Sequence, residues 1–352
     1  MLHTARNRLR RAASVLFRRR KLRPRQADLN SAATLQLLNG RLIGGFGGET
    51  QSGTPTIVRT SMPPGKSSPF LNRIDLGREG ESATRLVEKA VLNDSAELLF
   101  WRESTWPNPI LSGGTYNAVR PVDLYMGDSA SVLYFPYVSA LDRDKRSLQR
   151  EFRSNLKTIA AAVADFNAHN MSKPGPPAPR GQRFDAVRPT HSDLQTRLGI
   201  TGDDAHALRE SWNQAHAAWR ASCVALTRLP WCLCHNDVSP GNSTYTDGVL
   251  TLADFGLAAG GPVGTDLHTL MRWSGEAITD PVHVDALLAA YVGRMRAYDR
   301  SVSLEDVRLA AWATFFLRYT NLKFSSARYL NTYKLAIQRM IEVSDVDSAP
   351  LR

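Results

Sequence analysis

Cysteine is scarce in this chain: Cys223, Cys232 and Cys234 are the three it has in 352 residues. An odd, low count without a paired framework excludes a disulfide-stapled scaffold and fits a reducing compartment. Long apolar runs are also missing. No stretch approaches the ~18 residues that a spanning helix needs. The apolar stretch 12–17 is too short for a signal peptide and no small-residue cleavage site follows it. The expected location is therefore cytoplasmic. Acidic residues are absent from one region. Residues 1–26 hold ten Lys and Arg and no Asp or Glu. The formal net charge of +11 belongs almost entirely to this tail, leaving about +1 for the body. Within the tail, Leu2, Leu9, Ala13 and Leu16 fall near helical spacing. It reads either as a basic amphipathic helix lying on an anionic inner membrane face or as a solvated arm. It lacks the aromatic interleaving that a nucleic-acid partner would want.

What the chain does contain is a globular composition, 43% hydrophobic and 22% charged, at a length that suits two lobes with sizeable cores. Its most informative stretch is Cys234-His235-Asn236-Asp237-Val238-Ser239-Pro240-Gly241-Asn242, followed twelve residues later by Asp254-Phe255-Gly256. The order is H-x-D-x4-N, a short hairpin, then D-F-G. Phosphoryl transfer from Mg·ATP needs a carboxylate to aim the attacking hydroxyl and accept its proton late, which suits Asp237. It needs hard oxygen donors for Mg²⁺, which suits Asn242 and Asp254. Residues 243–251 read as a hairpin turning at Thr246-Asp247-Gly248, because Asp-Gly tolerates positive φ. His235 reads as a residue that holds the loop by a hydrogen bond. A buried polar loop before a strand would explain any one of these residues. It explains the ordered set poorly. Cys232 and Cys234 alternate on the strand entering this loop and have no companion ligands for zinc.

These residues resemble the aminoglycoside phosphotransferase and choline kinase group, the small-molecule branch of the protein-kinase-like fold. The resemblance lies in "LCHNDVSPGN", "LADFG" and the later "GPVGTDLHTL". It implies an α+β, two-lobed protein kinase-like fold with an N-terminal antiparallel sheet lobe and a larger helical C-terminal lobe. It implies ATP and Mg²⁺ as cofactors and a small-molecule or glycan acceptor. It also implies that Asp266 braces the catalytic loop, beside the plainer reading of a helix N-cap. The chain departs from the group at Asn236, where Gly is frequent, and at Ser243-Thr244, where aliphatic residues are usual. No Ala-Pro-Glu triplet follows Gly256, and only nine residues separate Gly256 from Asp266. That leaves no room for a regulated activation segment and disfavours a protein acceptor.

The same resemblance asks for a strand lysine paired with a helix glutamate. Residues 85–92 read as that strand and 94–103 as the helix. Lys89 then has the phosphate role, with Glu97 as partner ahead of Glu88 and Glu103. A solvated strand lysine is the alternative. Residues 131–138 read as the last strand of the lobe, with Phe135 and Tyr137 near the adenine edge. The glycine run 44–48 is a candidate phosphate loop or a plain turn, and 77–81 a hairpin. Pro64-Gly65-Lys66-Ser67 lacks the upstream Gly of a phosphate loop and is rejected.

The expected divisions are a basic tail over 1–26, a nucleotide-binding lobe over 27–138 and a helical lobe over 139–352. In the helical lobe, periodicity predicts helices over 147–169, 203–229, 282–298, 304–321 and 327–343, with a Pro/Gly-rich loop over 174–189. The second of these should turn Leu208, Trp212, either His216 or Trp219, and Val224 inward. The functional expectation is transfer of the ATP γ-phosphate to a hydroxyl of a small molecule or carbohydrate. The alternative is a nucleotide-binding scaffold with little turnover.

Overall fold

A computed structural model describes residues 38–39, 56–62, 71–77, 83–103, 109–128, 130–138, 144–172, 189–321 and 329–346. The basic tail, the glycine run 44–48, Pro64-Gly65-Lys66-Ser67, residues 78–81 and the Pro/Gly-rich stretch 174–188 lie outside these described residues.

The chain divides into two compact units. The first, residues 1–103 and 119–139, is built on one five-stranded antiparallel sheet. Its strands are β1 (Thr56–Met62), β2 (Leu71–Gly77), β3 (Thr84–Leu92), β5 (Asp123–Met126) and β6 (Ala130–Pro136), ordered β1-β2-β3-β6-β5. Ile74, Leu76, Leu86, Ala90, Val132 and Tyr134 form its buried core with Leu38. Each fully buried aliphatic side chain there stabilises by roughly 1.5–3 kcal/mol. After β3 the chain turns into α1 (Ala96–Glu103), started by the Ser95 hydroxyl, which accepts the Leu98 N–H at 3.2 Å.

The second unit, residues 104–118 and 140–352, is mostly helical. Residues 104–118 fall here and not with the sheet, because β4 (Tyr116–Ala118) pairs in parallel with β10 (Val249–Leu252). The predicted 147–169 helix is two helices, α2 (Lys145–Ser154) and α3 (Leu156–His169). They break at Asn155, whose backbone (φ −108°, ψ 12°) leaves the helix and whose side chain donates to the Glu151 carbonyl at 2.8 Å. After the two-residue strand β7 (Met171–Ser172), α4 (His191–Leu198) precedes the long α5 (Gly202–Arg228). Leu208 and Trp212 of α5 are buried with Phe316, Tyr333 and Ile337. Val224 is not inward as predicted but 59% exposed: the neighbouring Ala225 and Leu226 pack against this core and Val224 lies on the other face of α5.

Strand β8 (Trp231–Cys234) enters the loop over residues 235–242, and β9 (Ser243–Thr246) with β10 forms the predicted hairpin. Asp247 (φ 52°) and Gly248 (φ 81°) make its turn, both left-handed as a tight hairpin requires. Strand β11 (Ala259–Pro262) returns antiparallel to β8. Helices α6 (Leu267–Trp273), α7 (Pro281–Met295), α8 (Leu304–Tyr319) and α9 (Leu330–Val346) complete the unit. Gly264 (φ 94°) joins β11 to α6 against α8; a Cβ there would lie 3.0 Å from the Val307 carbonyl oxygen. Among the described residues, no helix is long and apolar enough to cross a membrane.

Candidate active site

In the first unit, Lys89 sits on β3 opposite Leu71 on one side and Leu133 on the other. Its Nζ is 2.7 Å from Glu97 Oε2 on α1, and both side chains are nearly buried. Glu88 is otherwise engaged. It pairs with Arg59 at 3.1 Å and accepts from Asn72 at 2.8 Å and from the Tyr134 hydroxyl at 3.1 Å. Burial, reinforced by the Glu88 charge, raises the Tyr134 pKa and keeps that hydroxyl a donor. Phe135 lies in the ladder opposite Val87, with its ring buried 6.3 Å from Trp101. The Tyr137 N–H donates to the Arg85 carbonyl at 3.1 Å and is not open to an adenine edge while that bond holds. The buried Tyr137 hydroxyl has no hydrogen-bond partner among the described residues.

In the second unit, the strand β8 carries the chain to His235, and Asn236 takes a left-handed turn (φ 62°). Gly is the cheapest residue at such an angle and Asn the best of the others, which accounts for the departure noted in the sequence. The Asn236 side chain donates to the Leu257 carbonyl at 3.1 Å, bridging to the segment after Asp254-Phe255-Gly256. His235 is fully buried. Its Nε2 lies 2.8 Å from the Ala253 carbonyl and its Nδ1 accepts the Asp237 N–H at 3.3 Å. These partners fit the neutral ring protonated on Nε2. The loop then turns at Ser239-Pro240-Gly241-Asn242, closed by the Asn242 N–H to Ser239 O bond at 2.9 Å.

Both oxygens of Asp237 are held. Asn242 Nδ2 donates to Oδ2 at 2.9 Å, leaving the Asn242 amide oxygen for another use. Arg318 Nη2 donates to Oδ1 at 2.9 Å. The Arg318 Nη1 donates to the Asn236 carbonyl and to His268 Nε2, the latter at 3.1 Å. His268 is buried, with Nδ1 2.6 Å from the Thr265 carbonyl. Burial, and then the Arg318 charge, hold its pKa well below the usual imidazole range. The ring is thus a neutral acceptor for the guanidinium. Sequence reasoning left Arg318 unassigned; it is one of several polar residues near the end of an apolar helix, 81 residues from Asp237.

Asp266 opens α6 but makes no side-chain cap bond. Its carboxylate accepts instead from the loop after β8: His235 N–H at 3.0 Å and Asn236 N–H at 2.6 Å. Asn167 of α3 adds a third bond at 3.0 Å. The hydroxyl of Tyr291 donates to Asn167 Oδ1 at 2.9 Å and accepts the Gly264 N–H at 3.1 Å.

Asp254 is exposed, with a left-handed backbone (φ 61°, ψ 74°) held by the Gly256 N–H to Oδ1 at 3.3 Å. Phe255 turns the other way, buried 4.7 Å from the His235 ring. Non-glycine residues in this conformation are costly and persist where surrounding structure over-determines them, often at functional sites. The Ala253 N–H to Asn242 O bond at 2.7 Å brings Asn242 and Asp254 to the same end of the hairpin. Among the described residues no group of three or more His, Cys, Asp and Glu could hold a metal alone. An amide oxygen and an exposed carboxylate on adjacent strand ends do suit Mg²⁺, which takes one or two protein oxygens beside phosphates and water. The thiols of Cys232 and Cys234 are 3.6 Å apart and buried; burial pushes the Cys234 thiol well up, the opposite of a metal-binding thiolate.

With this geometry in place, the family model described as the phosphotransferase enzyme family, APH, matches residues 109–301. The chain belongs to that family, and it is a phosphotransferase of kinase-like fold. The match covers His235, Asp237, Asn242, Asp254 and Asp266 but not Lys89, Glu97 or Arg318. Among solved structures, a choline kinase from Cryptosporidium parvum Iowa II is 12% identical with a TM-score of 0.52, covering 90% of this chain and 98% of its own. The choline kinase LicA from Streptococcus pneumoniae is 12% identical with a TM-score of 0.47, covering 88% of this chain and 100% of its own. A thermostable aminoglycoside phosphotransferase APH(4)-Ia mutant in ternary complex with ADP and hygromycin B is 12% identical with a TM-score of 0.48, covering 88% of this chain and 99% of its own. No curated protein matches the chain.

Proposed function

We propose that this protein moves the γ-phosphate of ATP to a hydroxyl of a small molecule or carbohydrate. The observation that carries the reading is Asp237. Its carboxylate is aimed by Asn242 and Arg318, while Asn242 is tied through its carbonyl to the strand end that presents Asp254. In this reading Asp237 orients the acceptor oxygen and takes its proton as the phosphoryl group arrives. Asn242 and Asp254 would hold Mg²⁺, which when bound neutralises charge on the transferring phosphate. Lys89, fixed by Glu97, contacts phosphate oxygens, and the buried Tyr137 hydroxyl is a candidate donor toward the base. His235 and Asp266 touch no substrate; they hold the loop that carries Asp237.

The competing reading is a nucleotide-binding scaffold without turnover. It draws on the fact that both Asp237 oxygens already accept hydrogen bonds. One experiment addresses both. Nucleotide binding is measured calorimetrically with and without Mg²⁺, and phosphate release from ATP is followed with a panel of acceptor alcohols. Asp237→Ala should keep Mg·ATP binding and lower turnover by roughly 10²–10⁴-fold, the usual weight of a positioned general base. Asp254→Ala should lose the Mg²⁺-dependent part of binding. Wild-type turnover in both variants would refute the assignment; nucleotide binding with no turnover on any acceptor or on water would favour the scaffold.

A further inference from the structure

Next to Asp237, the end of α8 and the adjoining face of α6 carry two guanidinium groups. Arg318 reaches Asp237, Asn236 and His268 from the end of α8. Arg272 stands on α6 four residues after His268, so the two project from one helix face. Since His268 meets Arg318, Arg272 lies one turn farther along the face that turns toward Arg318 and the base.

The Arg272 guanidinium lies over the Tyr329 ring, 5.3 Å from its centroid. Among the described residues it has no carboxylate or hydrogen-bond partner. A guanidinium is a planar fork of N–H donors matched to an oxyanion. Tyr319 registers the whole group. Burial pushes its pKa up to about 12; Arg318 and Arg272 pull it down, while Asp237 and Tyr329 raise it. The base and both arginines therefore lie within electrostatic reach of one phenol.

Leu267–Trp273, residues 309–319 and residues 330–341 contain no Asp or Glu. Asp266, the nearest in sequence, is saturated by three N–H donors. A polycationic acceptor would meet like charge here, which is unfavourable at close range.

We propose that Arg272, on the α6 face that carries the Arg318 partner His268, forms an anion subsite, so that the acceptor is an alcohol that also bears a phosphate or carboxylate group. This rests on the phosphotransferase reading above. The test uses the full chain saturated with Mg·AMP-PNP, titrated with glucose, glucose 6-phosphate, glucuronate and a polycationic aminoglycoside. Glucose 6-phosphate or glucuronate should bind at least about tenfold tighter than glucose, the scale of one good charge-assisted contact. The two anionic arms separate phosphate from carboxylate recognition. Arg272→Gln should erase that preference and Arg272→Lys, which keeps charge but loses the fork, should retain part of it. Equal or tighter binding of glucose or of the aminoglycoside would overturn the subsite, as would an unchanged preference in Arg272→Gln. Failure of Mg·AMP-PNP itself to bind would instead sink the phosphotransferase reading.

Discussion

Asp266 is the residue on which the His235-Asn236 turn hangs. Its two oxygens face three N–H donors, two of them consecutive backbone amides. Asp266→Asn keeps the shape but turns an NH₂ toward at least one of those donors. A buried donor left without an acceptor costs about 1–3 kcal/mol, more where a charge was involved. The expected outcome is a loss of roughly 2–4 kcal/mol in urea unfolding; a variant as stable as wild type would mean the network is not holding the loop. Asn236 gives a second, sharper test. Asn236→Ala should be less stable than Asn236→Gly by about 1 kcal/mol, since both lose the bond to Leu257 but only Ala strains at φ 62°. Equal stability would deny the strain. His268 adds a pH dependence. Its folded pKa lies below the ordinary 6.5, so as pH falls below about 6.5 the unfolded chain takes up a proton that the native ring refuses. Native stability from this ring is therefore present above that value and declines below it. His268→Gln should flatten the acid side of the stability profile between pH 6.5 and 5; an unchanged slope would place the dependence elsewhere.

At the scale of elements, the legible parts were the local ones. The hairpin over Ser243–Thr246 and Val249–Leu252 followed from Asp247-Gly248, and α7 and α8 followed from periodicity to within a few residues. Helix α4 was equally local but was missed. Thr190 and Asp193 form a reciprocal capping box, and Gly199 ends the helix at φ 71°. That signal was present in Thr190-His191-Ser192-Asp193 and in the Gly after Leu198. Thr190→Ala should cost about 1 kcal/mol by loss of the cap. Arg318 could not be found this way: its partners lie 50 to 82 residues away, and nothing in the pattern of α8 marks it. The Asn155 break was hidden for a different reason, because Phe152 and Leu156 keep the apolar rhythm through it. Gly264 joins local and distant causes. Its φ of 94° is a turn requirement, but the closeness of Val307 is a packing one, so Gly264→Ala should lose more stability than a positive φ alone explains.

For the whole molecule the unevenness of charge is the dominant fact. Ten cationic side chains occupy 1–26, outside the described residues, against a body of about +1. Each Lys or Arg near an anionic lipid surface contributes about 1 kcal/mol at low salt, and the effect decays within a Debye length of ~10 Å at 0.1 M salt. If the tail lies on a membrane, attraction should be strong in 50 mM salt, weak in 500 mM, and dependent on these residues. The full chain should co-sediment with vesicles containing phosphatidylserine and not with neutral ones, and the chain lacking 1–26 with neither. An apolar contribution from Leu2, Leu9, Leu16 and Phe17 would show as binding that survives part of the salt increase. Binding of both chains alike would assign any membrane contact to the body, and no binding by either would leave the tail a solvated arm. Turnover measured on vesicles and in free solution then separates a tail that concentrates the enzyme near its acceptor from one that has no bearing on the reaction.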